Sequence, residues 1–223
     1  MNFFEALKKT AAVAAATTML MLVGCGKDAA TNGSDKTEAT KAAGSASGNT
    51  IIIELDTKAA PITCENFENL VKSGFYDGLT FHRVVDDFMA QGGDPEGTGM
   101  GGSDKTIKGE FSSNGVENPL SHTRGVISMA RSMDPDSASS QFFICYTDDC
   151  TFLDGNYAAF GKVTEGMEVV DDFLKVPRSM GGDNEVSAPD SPIVMEKVEM
   201  IDPAEDGSPR VQITMNDFLA DVK

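Results

Sequence analysis

Polar and apolar residues alternate from Thr50 to Asp56 and the run stops before a turn, which predicts a strand with one buried face. The period then changes. Pro61 suits a first helical turn, Phe67, Leu70 and Val71 make an apolar stripe, and Gly74 suits a helix C-terminal cap. Short apolar runs recur between glycine-rich breaks at Leu79–Val85, Phe88–Gln91, Gly125–Ala130, Gln141–Cys145 and Tyr157–Val163, which predicts a mainly β domain whose strands close on themselves. Met167–Leu174 reads as a second helix and Pro192–Ile201 as a final strand. No internal repeat is present. The stretch 50–202 is the size of one domain, long enough to bury roughly two-thirds of the surface its unfolded chain exposes.

The first 49 residues follow another pattern. Lys8 and Lys9 precede an apolar run from Ala11 to Val23 that ends in Leu22-Val23-Gly24-Cys25, too short for a comfortable membrane span. A small residue before a cysteine at the end of such a run resembles a bacterial lipobox. Residues 1–24 are therefore expected to be a lipoprotein signal peptide and Cys25 to carry a diacylglyceryl group, an ordinary secretory signal being the alternative. Two acyl chains, at about 0.8 kcal/mol per buried methylene, anchor stably where one exchanges. The expected location is the extracytoplasmic face of the cell membrane, tethered and not transmembrane. From Gly26 to Asn49 no large apolar residue occurs, so the segment cannot offset its ordering entropy and is expected to be a flexible linker. Within it, Asn32-Gly33-Ser34 matches a glycosylation sequon by chance in a bacterial chain.

The 223 residues carry a formal charge of -17; cleavage after residue 24 removes Lys8, Lys9 and Glu5, one net positive charge, and leaves -18. That balance argues against nucleic acid and against adhesion to anionic headgroups, and suits the solvated surface of a monomer. With Cys25 lipidated, Cys64, Cys145 and Cys150 remain, and buried free thiols are expected, since the short separation of Cys145 and Cys150 does not establish disulfide geometry. Rival motifs are weak. Gly97–Gly102 contains GxGxxG, but no helical pattern follows to cradle a phosphate. His82 and His122 lack companions at metal-ligand spacing and a nucleophile elbow, and Asp134–Ser137 lacks the later ligands of a calcium loop. Neither metal nor cofactor is expected.

Candidate chemistry concentrates in Phe81–Asp94, which sets Arg83, Gln91, Phe88 and Met89 within a few residues of each other. None is a nucleophile. Arg83 and Gln91 can donate hydrogen bonds, Phe88 and Met89 can wall an apolar pocket, and strand alternation brings Arg83, Met89 and Gln91 to one face. Ser140-Gln141-Phe142-Phe143-Ile144 repeats that chemistry. These blocks, with Ser128-Met129-Ala130, Phe152-Leu153-Asp154-Gly155 and Phe160-Gly161-Lys162-Val163 in the same order, resemble the cyclophilins, the cyclosporin-binding family of peptidyl-prolyl cis/trans isomerases.

The resemblance covers about Thr50–Ile201 and implies a closed eight-stranded antiparallel barrel with a helix over each end. Residues 203–223 have no counterpart and are left as an extension of unknown role. It further implies a proline-ring pocket of Phe88, Met89, Phe143 and Leu153, with Ala130, Arg131 and Gln141 along the peptide groove. A glycine loop borders that groove, and in it Met100 replaces a threonine. Arg131 stands where the family usually has asparagine. Phe152 replaces the usual tryptophan and Tyr157 stands where histidine is common. Both keep an aromatic wall, but the lost indole N–H weakens the expected cyclosporin binding.

The implied reaction needs no nucleophile. Rotating an amide breaks its conjugation, a barrier of about 18–20 kcal/mol, and no covalent bond is cleaved. In the twisted transition state the prolyl nitrogen regains a lone pair, so a fixed donor beside it lowers the barrier. Arg83 is the candidate donor, always charged and planar, and Gln91 would orient it or hold the substrate carbonyl. The predicted activity is isomerisation of X–Pro segments in exported proteins. The alternatives are a non-catalytic proline-peptide-binding surface lipoprotein and a hydrolase acting through a histidine.

Overall fold

The protein's structure, a computed structural model, describes residues 48–220 and residue 222. The predicted signal peptide, Cys25 and the linker as far as residue 47 lie outside the described residues. Strand β1 (Thr50–Leu55) buries Ile51, Ile53 and Leu55 and turns the residues between them outward, as its alternation predicts. Helix α1 (Pro61–Lys72) begins with Pro61 and ends in a Schellman turn, where Gly74 at φ +72 donates its N–H to Val71 and Phe75 donates to Leu70. Its inner face carries Phe67, whose ring centroid lies 5.1 Å from those of Tyr76 and Phe160 and 5.3 Å from that of Phe142. The helix is thereby packed on the segments that carry Tyr76, Phe142 and Phe160.

Strands β2 (Thr80–Val85) and β3 (Met89–Asp94) form a hairpin, and β4 (Val126–Met129), β5 (Phe142–Cys145) and β6 (Ala159–Glu165) follow the predicted runs. A short helix α2 (Met167–Asp172) continues as a 3-10 turn to Lys175. The chain then makes a small hairpin, β7 (Arg178–Met180) with β8 (Val186–Pro189), before β9 (Met195–Ile201) and β10 (Arg210–Met215). Eight of these strands form one antiparallel sheet in the order β2-β3-β5-β4-β6-β1-β10-β9.

The expected closed barrel requires correction: the sheet is a curled half-barrel and stays open. Its edge strands meet through a bridge between Thr80 and Val194 and a bond from the Phe81 N–H to the Ile193 carbonyl at 2.9 Å. Bonds from the Met195 N–H to the Leu79 carbonyl at 2.8 Å and from the Gly78 N–H to the Met195 carbonyl at 2.7 Å flank the bridge on its other side, and no regular ladder joins β2 to β9. Strand β8 runs beside β2 in place of β9. A second difference concerns residues 203–223, which supply β10 to the interior of the sheet between β1 and β9. Val211, Ile213 and Met215 point into the core from it, an alternation already visible in the sequence.

Three cysteines fall among the described residues, and all three are buried free thiols. Burial, followed by Glu110, pushes the Cys64 thiol up to about 12, so it is inert near neutrality.

Candidate active site

The register of four strands builds the site. Arg83 on β2 pairs with Gln91 on β3, Gln91 with Phe143 on β5, and Phe143 with Ser128 on β4. These four residues form one transverse row. The neighbouring row, Val84, Ala90, Ile144 and Ile127, faces the core, so side-chain alternation sends the first row to the opposite face. A second buried set lies there outside the main core, including Phe88, Met89, Phe143, Leu153 and Tyr157.

Phe88 reaches this face from the β2–β3 turn, where Asp87 takes a left-handed φ of +55 that aspartate tolerates better than most side chains. The Phe88 carbonyl accepts from the Tyr146 N–H at 2.9 Å and from the Cys150 thiol at 3.3 Å, which fixes the turn to the 3-10 segment Asp148–Leu153. Phe152 on that segment stacks on Phe88 at 5.7 Å, and Phe143 meets Tyr157 edge-on at 6.1 Å. The aromatic wall expected of Phe152 and Tyr157 is therefore in place beside Phe88 and Phe143.

The polar residues are held as firmly. Gln91 donates to the Gln141 side-chain oxygen at 2.8 Å, and Gln141 donates to the Gly101 carbonyl at 2.7 Å. This chain ties β3 and the approach to β5 to the glycine loop. Asp94 holds the loop's other side, its carboxylate accepting from the backbone N–H groups of Glu96, Thr98, Gly99 and Gly101. Burial pushes that carboxyl up, but the N–H donors outweigh it and keep it below the usual carboxylate range. At Gly93, with φ +81, an added Cβ would stand 2.6 Å from the Ser140 carbonyl oxygen, so only glycine lets β3 pass here. A cavity of about 460 Å³ opens at this end, lined by Gln91, Met100, Gly101, Ala130, Arg131 and Gln141 among others. Arg131 does not reach across it. Its guanidinium donates to the Asn156 carbonyl and lies over the rings of Tyr157 and Phe111, at 4.7 and 5.1 Å from their centroids.

His122 serves the scaffold. His122 is buried between Asp154, 2.7 Å from Nδ1, and the Ser128 hydroxyl, 2.9 Å from Nε2. The order resembles a hydrolase triad, but Ser128 is fully buried beneath the sheet face, where no carbonyl can be attacked. Burial lowers the His122 pKa despite Asp154, and burial likewise lowers that of His82. Both are neutral near pH 7.

Two residues absent from the sequence reading complete the site. Asp183 and Glu185, in the turn of the β7–β8 hairpin, accept from Nε and Nη2 of Arg83. Gly181-Gly182-Asp183-Asn184 has the composition of a turn, but nothing local connects it to an arginine about a hundred positions earlier.

Residues 40–200 match the sequence model of the cyclophilin type peptidyl-prolyl cis-trans isomerases. The chain belongs to that family. It is 44% identical over 155 residues to a peptidyl-prolyl cis-trans isomerase of Acinetobacter baylyi, covering 67% of this chain and 79% of the relative. It is 50% identical over 121 residues to peptidyl-prolyl cis-trans isomerase B of Bacillus subtilis, covering 54% of this chain and 80% of that one. Among solved structures, a Cryptosporidium parvum cyclophilin crystallised in the presence of the dipeptide Ala-Pro aligns with a TM-score of 0.58 at 30% identity, over 66% of this chain and 95% of its own. The protein is thus a cyclophilin-type isomerase, an enzyme.

Proposed function

We propose that this cyclophilin isomerises X–Pro bonds of exported proteins at the cell envelope, with Arg83 as the catalytic donor and Gln91, beside it on β3, orienting it or holding the substrate carbonyl. The observation that carries the site assignment is the juxtaposition of Arg83 with an apolar wall. Its Nη1 lies 3.7 Å from Met89 Sδ, and its guanidinium carbon lies 5.9 Å from the Phe88 ring centroid. Phe88, Met89, Phe143 and Leu153 are buried in this structure, so a prolyl ring reaches them by parting that wall, and its nitrogen then comes within reach of the guanidinium. There the donor meets the lone pair that appears only as the amide twists, so it stabilises the transition state more than the planar ground state. The cavity beyond Gln91 and Gln141 takes the residues preceding the proline. The Ala-Pro dipeptide present with the Cryptosporidium relative supports this class of ligand.

The envelope location rests on sequence. An apolar run ending at Cys25 and a linker without large apolar residues suit a lipid-tethered domain held clear of a bilayer. No helix among the described residues is long and apolar enough to cross a membrane.

A protease-coupled isomerisation assay tests the catalytic reading. Arg83→Ala should lower kcat/KM for a short X–Pro peptide by one to three orders of magnitude, about 1.4–4 kcal/mol, in a protein that stays folded. An unchanged rate in the folded variant refutes the assignment. Metabolic labelling with a fatty-acid analogue tests the anchor: Cys25→Ser should abolish labelling, and equal labelling of both proteins would exclude lipidation at Cys25.

A further inference from the structure

Arg83 is gripped along one edge. Nε donates to the Asp183 carboxylate and Nη2 to Glu185 Oε2 at 3.2 Å, while Nη1, on the other edge, lies at Met89 in the apolar wall. The two acids are themselves fixed. Asp183 Oδ1 accepts from the Ser187 hydroxyl at 3.0 Å and from the Glu185 N–H at 3.2 Å, and the Gly181 N–H closes the turn on the Glu185 carbonyl at 2.8 Å. Asn184 bridges them in the left-handed region at φ +60. The base of the hairpin is pinned to the β2–β3 turn by Arg178 and Asp86 at 2.9 Å. Burial pushes the Asp183 carboxyl up, but Arg83, Ser187 and the Glu185 N–H outweigh it and hold it below the usual carboxylate range, so Asp183 is ionised throughout the neutral range.

We propose that Asp183 and Glu185 are positioning residues of the isomerase: the hairpin holds the Nε–Nη2 edge of Arg83 so that the Nη1 edge is aimed at the prolyl nitrogen over Met89 and Phe88. This rests on Arg83 being the donor, as proposed above. An arginine side chain has several rotatable bonds and loses considerable freedom when it takes one geometry. Held beforehand, it loses none at the transition state, and misplacement of a catalytic group by about 1 Å can cost on the order of a hundredfold. Two carboxylates around one guanidinium also weaken its positive field. If the bare charge were what mattered, this arrangement would oppose catalysis, so direction is what the hairpin supplies.

The test uses the full chain carrying Asp183→Asn, Glu185→Gln and both together, assayed for kcat and KM separately, with thermal midpoints alongside. The double variant should lose about ten- to a hundredfold in kcat with KM within about twofold, and Asp183→Glu, which keeps a charged acceptor, should recover part of the loss. Glu185→Gln, at a more exposed position, reports on the clamp if the double variant does not fold. Combined with Arg83→Ala, the acid substitutions should cost nothing further. A rate unchanged or raised in folded acid variants while Arg83→Ala is slow overturns the clamp and leaves the donor assignment standing. A fast Arg83→Ala enzyme overturns the donor, and the clamp with it.

Discussion

Two adjacent rows of residues cross the same four strands, and they have opposite fates. Val84, Ala90, Ile144 and Ile127 face the core, where every side chain is apolar and buried. One position away, Arg83, Gln91, Phe143 and Ser128 face outward and carry a guanidinium, an amide, an aromatic ring and a hydroxyl. The backbone is shared, so the contrast comes from side-chain alternation and from what covers each face. The inner row is covered by the core, including α1 through Phe67. The outer row is covered by short irregular pieces: the glycine loop held by Asp94, the 3-10 turn carrying Phe152 and Leu153, and the β7–β8 hairpin. A regular sheet supplies the spacing, and loops supply the partners that make the spacing useful.

The comparison predicts that the two rows fail differently. Ile144→Ala in the inner row should cost about 2–5 kcal/mol of stability in denaturant unfolding, while the isomerase rate per folded molecule stays near that of the parent. A loss of rate in the folded fraction as large as that of Arg83→Ala would break the separation of the faces. In the outer row, Gln91→Ala should lower kcat/KM by about tenfold, roughly 1.4 kcal/mol, by releasing Gln141 from β3 and loosening the glycine loop. Its melting temperature should move far less than that of Ile144→Ala.

The smallest effect expected is that of pH on rate. No group on the outer row needs to gain or lose a proton, and burial keeps both histidines neutral, so kcat/KM should be flat from about pH 6 to 9. A bell-shaped profile on a stable protein would shift support to acid–base chemistry. Stability should behave differently. A histidine whose folded pKa is lowered stays neutral while the unfolded chain takes a proton near 6.5, so unfolding gains as pH drops below that value. The thermal midpoint should therefore fall between pH 7 and 5 before any carboxylate titrates strongly.

What the sequence determined by itself is the local half of this protein. Alternation placed β1, punctuation by glycine separated β2 to β6, and Pro61 with Gly74 bounded α1, because period and turn chemistry act over a few residues. The same parity argument put Arg83, Met89 and Gln91 on one face before any partner strand was known. Strand β10 is equally legible in the alternation of Arg210–Met215, although the family likeness ends before it. Closure of the sheet was not legible: it depends on how far the edge strands β2 and β9 meet around Thr80 and Val194, a contact between distant segments. Nor was the company Arg83 keeps. That Asp183 and Glu185 meet its guanidinium, and that His122 bonds to both Asp154 and Ser128, are decided when chain segments tens to about a hundred positions apart pack together. Tertiary structure alone sets such distances, because they follow from how whole elements lie on one another and not from the preference of any residue in its own neighbourhood.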